Sequence, residues 1–254
     1  LPGTGRRLAA GGDFTVAYLG GSITQAGPDG YRNGVSAWLQ QTYPGATIKA
    51  INAGIGGTGS DLGSFRLAND VLIHRPNLVF IEFVVNDRRE NHPVAAAIEG
   101  IVRHLHRTLP DCEIALIYTL CQQEWEMLAA NELPGAFLRH ESVAIHYGLP
   151  SINPAVAVAR RLQAGELTWD DFARDSAHPN VRGHALYAET ITAALQAAFA
   201  VPAATAPVAW PAPLTPDPWD GGAIWPMPPG TQAPGWTYCP LVNRGGWESF
   251  DGVL

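Results

Sequence analysis

Three short polar segments of this sequence hold residue types that can carry out nucleophilic catalysis. Ser22 stands in Gly-Gly-Ser-Ile-Thr, Asn86 is followed by an aspartate, and Asp175 precedes His178 by three residues in Asp-Ser-Ala-His-Pro. A serine hydroxyl becomes an effective nucleophile when a base removes its proton. Histidine titrates near neutral pH, so it can take and return that proton, and a neighbouring carboxylate can fix its tautomer. These residue types indicate acyl transfer through a serine.

Strand-like and helix-like stretches alternate over the first two hundred residues. Apolar, β-prone runs predict strands at 14–20, 47–52, 78–85, 113–120 and 149–153, and helical patterns predict helices at 31–41, 61–73, 93–108 and 180–200. Strands that alternate with helices, and runs that are apolar on both faces, predict a parallel sheet covered on both sides. The predicted fold class is therefore α/β, a three-layer α/β/α doubly wound parallel sheet that is flavodoxin-like with about five strands.

The polar segments fall at one edge of this predicted sheet. Ser22 follows the first strand, a glycine-rich run at 52–59 ends the second, and Asn86 follows the third. Asp175 and His178 come just before the last helix. Ligands of doubly wound sheets bind beyond the carboxyl ends of the strands, so we expect these residues to form one composite site.

In this order, the segments resemble the sequence blocks of the SGNH (GDSL-like) hydrolase family. Gly-Gly-Ser-Ile-Thr looks like the first block, Asn-x-x-x-x-Gly is similar to the second, Asn-Asp to the third and Asp-x-x-His-Pro to the last, over about residues 13–200. The resemblance implies a carboxylic ester hydrolase with Ser22 as nucleophile and with Asp175 and His178 as its acid–base partners. It implies no metal and no organic cofactor.

The same resemblance implies an oxyanion hole. Its donors map to the N–H groups of Ser22 and Gly57 and to the side-chain amide of Asn86, while Gly54 and Gly56 remain alternatives to Gly57. In well-studied hydrolases one such donor is worth roughly 3 kcal/mol.

The first block departs from the family pattern at one position. The usual Gly-Asp-Ser reads Gly-Gly-Ser here, with Gly21 in place of the aspartate. That aspartate is neither nucleophile nor base, so its loss leaves the chemistry in place. It does raise the question of what supports the loop that carries Ser22.

A dinucleotide-binding site is a rival interpretation of the glycine-rich run. Gly-Ile-Gly-Gly-Thr-Gly matches G-x-G-x-x-G after a strand, with Glu82 roughly 20 residues further on. However, the motif follows the second strand, and Glu82 is expected inside an apolar strand. This interpretation also leaves Ser22 and His178 without a role. The G-x-S-x-G elbow of α/β-hydrolases is absent.

Other polar residues have structural as well as functional interpretations. His104 and His106 are two apart on a predicted helix, so they point to different sides and make poor metal partners. His184 is expected inside the last helix as a packed or surface residue. Arg88 and Arg89 could line the rim of the pocket or form a solvated charged pair. Two interpretations, the acyl or alcohol side of the cleft and simple loop packing, are open for Glu124, Trp125 and Glu126.

Composition excludes several classes of protein. The formal charge of −7 argues against a nucleic-acid surface, and no apolar run is long enough to predict a membrane span. The cysteines form no C-x-x-C pair, and their odd number disfavours a disulfide framework: Cys112, Cys121 and Cys239. The chain begins at Leu1 without a signal-like segment, so a secreted and a cytoplasmic location are both open.

The composition changes after about Pro202. Residues 202–254 contain 11 of the 21 prolines and five of the eight tryptophans. We predict a hydrolase domain at 1–202 and an extended Pro/Trp-rich segment at 203–254. Because disordered linkers are typically poor in aromatics, this segment should pack on the domain or form a homo-oligomer with a second subunit.

The expected function is hydrolysis of short-chain carboxylic esters through an acyl-serine. The Gly-Gly-Ser-Ile-Thr variant and the aromatic tail resemble the carbohydrate-active branch of the family, which implies acetyl groups on saccharides as substrates. Two alternatives stay open. The same triad could serve an O-acyltransferase, and the chain could be a non-catalytic saccharide-binding module.

Overall fold

In the computed structural model, which describes residues 1–88, 93–201 and 210–224, five strands form one parallel sheet. The strands are Gly12–Gly20 (β1), Ala46–Gly54 (β2), Leu78–Glu82 (β3), Glu113–Ile117 (β4) and Ser151–Ile152 (β5). They lie in the order β2-β1-β3-β4-β5 and all pairs are parallel. This is a doubly wound order, and the predicted α/β fold class is confirmed.

Helices connect the strands. Within the described residues they are Pro2–Ala10 (α1), Ser22–Gln25 (α2), Tyr31–Thr42 (α3), Ser60–Asp70 (α4), Val94–Thr108 (α5), Gln122–Ala129 (α6), Gly135–Tyr147 (α7), Pro154–Gln163 (α8), Trp169–Phe172 (α9) and Val181–Phe199 (α10). Four of them, α3, α4, α5 and α10, agree with the predicted helices to within a few residues.

The strand order places helices on both faces of the sheet. The chain moves from β1 to β2 through α3 and then returns across β1 to β3 through α4. Because such crossovers are right-handed, the reversal of direction puts α3 and α4 on opposite faces. In agreement, α3 packs against α10, whereas α4 packs against α5 and α5 packs against α7.

The core lies on both sides of the central strands. All five residues of β3 are buried, and so are the last five of β1. Strands covered on both faces read as continuous apolar runs, as these do. The rings of Tyr18 and Phe80 stack across the two strands with centroids 5.2 Å apart.

The predicted strand at 78–85 is too long. β3 ends at Glu82, because the N–H groups of Asn86 and Asp87 both donate to the Phe83 carbonyl in a tight turn. Phe83 to Val85 are nevertheless buried, so an apolar run alone did not reveal where pairing stops. Glu82 therefore stands at a strand end, which corrects one argument made against a dinucleotide site.

Other boundaries also differ from the sequence prediction. α4 begins at Ser60, with Gly59 at the cap position, and it ends at Asp70 before a 3-10 turn at Leu72–His74. The helices α1, α2, α6, α7, α8 and α9 had no predicted counterpart. For α8 the sequence did contain a helix-start signal, because Asn153 caps the helix and Pro154 is its first residue.

Part of the Pro/Trp-rich region is described. Trp210 stacks on His106 with ring centroids 3.6 Å apart, and the Trp219 N–H donates to the Ala96 carbonyl. One compact unit accordingly extends from Leu1 to Ala223. The second unit, Ile224–Leu254, is described at Ile224 alone, so Trp225, Trp236, Trp247 and Cys239 lie outside the described residues. The role of 203–254 as one packed segment stays a prediction.

None of the helices in the described part of the chain combines the length and the apolarity needed to cross a membrane.

Candidate active site

Ser22 lies directly beyond the carboxyl end of β1. It is the first residue of α2, so its N–H is one of the amides that a helix leaves without an internal partner. The turn before it is very tight, because a Cβ atom on Gly20 would lie 2.2 Å from Thr24 Oγ1 and 2.6 Å from the Glu82 carbonyl oxygen. Only glycine fits there, which explains why β1 ends as it does.

Ser22, His178 and Asp175 form one hydrogen-bonded chain. Ser22 Oγ lies 2.9 Å from His178 Nε2, and His178 Nδ1 lies 2.9 Å from Asp175 Oδ2. Ser22 and His178 are 156 residues apart in the sequence. The histidine therefore has a hydroxyl on one ring nitrogen and a carboxylate on the other, the arrangement of a nucleophile, its base and the group that orients the base.

A short turn holds Asp175 and His178 together. The Ala177 and His178 N–H groups both donate to Asp175 Oδ1, at 2.8 and 2.7 Å. The turn is closed because Arg174 N–H donates to the His178 carbonyl, next to an antiparallel bridge between Ala173 and Pro179. Aspartate commonly bonds its own backbone in this way, so the three-residue spacing suffices to bring carboxylate and imidazole together.

The carboxylate of Asp175 is kept ionised. Partial burial raises its pKa, but donation from the Ala177 and His178 N–H groups and from the His178 ring outweighs burial and leaves the pKa below its ordinary value. At neutral pH Asp175 can therefore only accept, so His178 carries a proton on Nδ1 and leaves Nε2 free to accept from Ser22.

The glycine-rich loop after β2 pairs several of its amides within the protein. Ile55 N–H donates to the Gly20 carbonyl, and Gly56 N–H donates to Gln25 Oε1. Gly54 N–H is likewise engaged, by Asn52. In the described part of the chain, the Gly57 N–H has no hydrogen-bond partner. Of the three glycines that the sequence left open, Gly57 alone has a free donor.

Gly57 also has a backbone conformation that favours glycine. Its φ angle is +76°, in the left-handed region, and no atom lies within 4 Å of the position a Cβ would take. The protein therefore leaves this side of Gly57 open, apart from the neighbouring residues of the loop.

The side chain of Asn86 lies against Gly21, the residue before Ser22. A Cβ atom on Gly21 would lie 2.1 Å from Asn86 Oδ1, so the amide occupies the space that any larger residue at 21 would need. Gly21 N–H donates to the Glu82 carbonyl, which fixes this part of the loop to the end of β3. The absence of the family's aspartate at this position therefore makes room for Asn86.

Arg66 supports the loop in a way that the sequence analysis missed. This arginine of α4 is 2% exposed, and it donates to the Ala53 carbonyl at 2.7 Å and to the Gly20 carbonyl at 3.0 Å. It also pairs with Asp70 at 2.8 Å. It therefore joins the carboxyl ends of β1 and β2. No local pattern marks it, since an arginine in a helix is usually solvated.

A buried carboxylate lies at the end of β3. Glu82 accepts from Thr24 Oγ1 at 2.8 Å and from Thr119 Oγ1 at 2.7 Å. Burial, and less strongly the charge of Asp87, raise its pKa to about 7, although the two threonine hydroxyls act in the opposite direction. Both carboxylate oxygens are engaged, so Glu82 is not available to bind a ribose.

Three other residues singled out from the sequence have structural contacts, namely His184, Glu124 and Arg88. His184 is buried and its Nδ1 accepts from the Tyr31 N–H, while burial first, and then nearby cations, lower its pKa to about 4. Glu124 is 2% exposed and caps α6 by accepting from the Cys121 N–H. Arg88 is exposed and donates to Cys121 Sγ, whereas Arg89 lies outside the described residues.

The sequence matches a known family over much of its length. Residues 18–186, more than half of the chain, match the model of the GDSL-like Lipase/Acylhydrolase family. Comparison with curated protein sequences found no match.

Solved structures with the same fold include carbohydrate esterases. A two-domain esterase (CEX) active on acetylated mannans is 33% identical, with a TM-score of 0.74, and the match covers 83% of this chain and 56% of that one. A catalytic mutant of Axe2, an acetylxylan esterase from Geobacillus stearothermophilus, is 19% identical, with a TM-score of 0.60 and coverage of 72% and 94%. The acetyl xylan esterase AlAXEase is 20% identical, with a TM-score of 0.60 and coverage of 72% and 100%.

The match to the mannan esterase spans little more than half the length of that protein. The similarity to the two xylan esterases, at about one residue in five, shows the shared fold alone. The family match, in contrast, extends over the central sheet except for the first six residues of β1. This chain therefore belongs to the GDSL-like lipase/acylhydrolase, or SGNH hydrolase, family.

Proposed function

We propose that this protein is a serine esterase that hydrolyses short-chain carboxylic esters, in particular acetyl groups on carbohydrates, through an acyl-serine intermediate. The observation that carries the proposal is the hydrogen-bonded chain from Ser22 Oγ through His178 to Asp175, with separations of 2.9 Å at both steps. Ser22 is the nucleophile, His178 the general base and Asp175 the residue that orients the histidine.

The first half-reaction forms the acyl-enzyme. Ser22 Oγ attacks the ester carbonyl carbon while His178 Nε2 takes the hydroxyl proton. The carbonyl oxygen becomes an oxyanion, which accepts from the Ser22 N–H, the Gly57 N–H and the Asn86 side-chain amide. The intermediate then collapses, the bond to the alcohol oxygen breaks, and the protonated His178 gives its proton to the leaving alcohol.

The second half-reaction regenerates the serine. A water molecule replaces the departed alcohol, and His178 takes its proton as the water oxygen attacks the acyl carbon. The same three donors stabilise the second oxyanion. Its collapse breaks the bond to Ser22 Oγ, which receives the proton from His178, and the carboxylic acid leaves.

Exposure of the site supports a large alcohol part in the substrate. The side chains of His178 and Asp175 are 29% and 49% exposed, so the triad stands at the surface, where a long saccharide could reach it. The similar solved structures are described as esterases active on acetylated mannans and as acetylxylan esterases. Their substrates are the basis for favouring acetyl groups on a saccharide here.

A chain-length series tests the proposal. p-Nitrophenyl acetate, butyrate and octanoate, together with acetylated manno- and xylo-oligosaccharides, should show highest kcat/KM for the acetyl esters. A fluorophosphonate probe should label Ser22, as located by peptide mass mapping. Ser22→Ala and His178→Ala should lose nearly all activity, because both act directly on the reacting atoms.

The control is His184→Ala, which removes a nearby histidine of the same chain and should keep most of the activity. Labelling at another residue, or hydrolysis that survives Ser22→Ala, would refute the mechanism. Equal turnover of octanoate and acetate would refute the preference for short chains. Transfer of acetyl to an added sugar alcohol faster than to water would identify the enzyme as an O-acyltransferase instead.

A further inference from the structure

A second aspartate–histidine pair lies next to Asn86, one of the proposed oxyanion donors. Asp87 directly follows Asn86 and is 3% exposed, and His140 of α7 is fully buried. Asp87 Oδ2 lies 2.8 Å from His140 Nε2. The triad uses neither residue, yet burying a carboxylate costs free energy unless its contacts compensate for the lost hydration. Because Asp87 directly follows Asn86, the pair is in a position to hold Asn86 in place.

The carboxylate of Asp87 connects the two segments that carry Gly57 and Asn86, the proposed oxyanion donors other than Ser22. Asp87 Oδ1 accepts from the Ser60 N–H at 2.9 Å, so it holds the start of α4, three residues after Gly57. A Cβ atom on Gly59 would lie 2.6 Å from the same oxygen, so the backbone of the glycine-rich loop packs directly against it. Asp87 itself is covalently next to Asn86. One side chain thus spans the Gly57 loop and the Asn86 turn.

Helix α7 holds this carboxylate from the other side. Arg139 donates to the Asp87 carbonyl oxygen at 3.1 Å, and His140 faces the carboxylate. A carboxylate only accepts, so His140 Nε2 carries the hydrogen. His140 Nδ1 is buried and has no hydrogen-bond partner in the described part of the chain. A histidine that leaves one nitrogen unpaired in the core is an unusual choice for packing alone.

We propose that Asp87 and His140 are positioning residues that hold Gly57 and Asn86 at the separation an oxyanion requires. The inference rests on the proposed function and adds a residue from α7, an element outside the family's sequence blocks. Oxyanion stabilisation depends on donors already placed where charge develops, and a shift of about 1 Å can cost about 100-fold in rate. Loosening the pair should therefore affect the transition state more than substrate binding.

Three variants test this inference in the full chain. His140→Phe keeps the aromatic volume and removes the donor to Asp87, whereas His140→Gln keeps an amide donor that can reach it. Val143→Ala is the matched control, because it removes volume from the fully buried side chain of the same helix without touching Asp87. Each is assayed for kcat and KM on p-nitrophenyl acetate and for thermal melting.

His140→Phe should lower kcat about 10- to 100-fold with KM changed by less than about 3-fold. His140→Gln should recover most of that loss, and Val143→Ala should melt earlier with nearly unchanged kcat. Wild-type kcat in His140→Phe, or an equal kcat loss in Val143→Ala, would overturn the positioning role. If His140→Phe does not fold, Asp87→Asn is assayed instead. The asparagine keeps one oxygen that can accept from the Ser60 N–H but loses the second oxygen, which accepts from His140.

Amide hydrogen exchange gives a readout that needs no turnover. His140→Phe should exchange faster than wild type in the segments 54–60 and 83–88, whereas Val143→Ala should not. Unchanged exchange in both segments would overturn the inference whether or not the enzyme is active. Failure of Ser22→Ala to abolish hydrolysis would instead refute the proposed function, so the two failures are distinguishable.

Discussion

At the scale of single residues, the site depends on glycines at positions where no side chain would fit. Gly20, Gly21 and Gly54 each stand where a Cβ atom would lie within 2.3 Å of a neighbouring atom. At Gly21 that neighbour is the amide of Asn86, so the residue that departs from the family pattern is matched to the proposed oxyanion donor. The departure is thus explained by packing, which the sequence alone could not show.

Gly21→Ala should therefore act like the loss of Asn86. The new methyl group would displace the amide, and we expect kcat to fall on the order of 10²–10³, as for Asn86→Ala. The double variant should be no worse than the poorer single variant, because both remove the same donor. Steady-state kinetics on a p-nitrophenyl ester measures all three. Gly27→Ala, with no atom within 4 Å of the new methyl group, is the control and should be neutral. Additive losses in the double variant would contradict this account.

The buried Glu82 should make the free energy of unfolding depend on pH. Its pKa rises from 4.5 to about 7 on folding, so the folded state holds a proton that the unfolded state releases between these values. The stability that this group contributes is fully present below about pH 4.5 and is lost as the pH rises through about 7, by up to about 1.4 kcal/mol per pH unit.

Glu82→Gln mimics the protonated form at every pH. Its melting temperature relative to wild type should therefore be higher at pH 8 than at pH 5. His184 acts in the opposite direction, since its lowered pKa makes stability fall below about pH 6.5. Because His184 is present in both proteins, its contribution cancels in the difference. A difference in melting temperature that does not change with pH would show that Glu82 keeps the same charge on folding.

At the scale of elements, the sequence predicts the sheet and the edge at which the site lies. Ser22 and Asn86 could be placed because they follow apolar runs, and parallel strands bring their carboxyl ends together. Asp175 and His178 could be paired because an aspartate three residues earlier closes a turn. The supports could not be predicted, since Arg66 and His140 act on residues far away in sequence and sit in helices without a distinctive pattern.

Arg66 shows what such a support contributes to an element. Arg66→Met should remove one hydrogen bond from each of two buried carbonyls, Gly20 and Ala53, although the Gly20 carbonyl still accepts from the Ile55 N–H. Each hydrogen bond lost from a charged donor costs roughly 1.5–3 kcal/mol. Arg66→Lys should restore little, because an ammonium cannot reproduce the planar fork that reaches both strands. Urea unfolding followed by circular dichroism measures the loss. The control is Arg6→Met, at an exposed position, which should change the free energy of unfolding by less than about 0.5 kcal/mol. Equal effects at the two positions would contradict the role.

At the scale of the whole molecule, the catalytic sheet shares one compact unit with part of the Pro/Trp-rich region. The contact centres on Glu99 of α5, which is fully buried and accepts from the Thr215 N–H and hydroxyl and from the Leu214 N–H. Burial raises the pKa of Glu99, but these bonds and one from Tyr147 outweigh it and leave the pKa below its ordinary value. Aromatic content predicted a packed segment, but it could not indicate that a buried carboxylate would hold it.

Two truncated chains measure this contact. A chain that ends at Ala223 keeps residues 210–223, and a chain that ends at Ala204 removes them and leaves Glu99 without three of its donors. The shorter chain should melt several degrees lower, because it loses the hydrogen bonds to Glu99 and the ring contacts of Trp210 and Trp219 with the domain. Glu99→Gln should lower the melting temperature of the longer chain but have little effect in the shorter one, with a coupling of about 1–3 kcal/mol between the two changes. The stability that Glu99 contributes to the longer chain should also be lost as the pH falls through its lowered pKa, since protonation removes the negative charge and turns one acceptor oxygen into a donor. Equal melting of the two truncated chains, or the same effect of Glu99→Gln in both, would show that the segment contributes nothing to the fold it lies against.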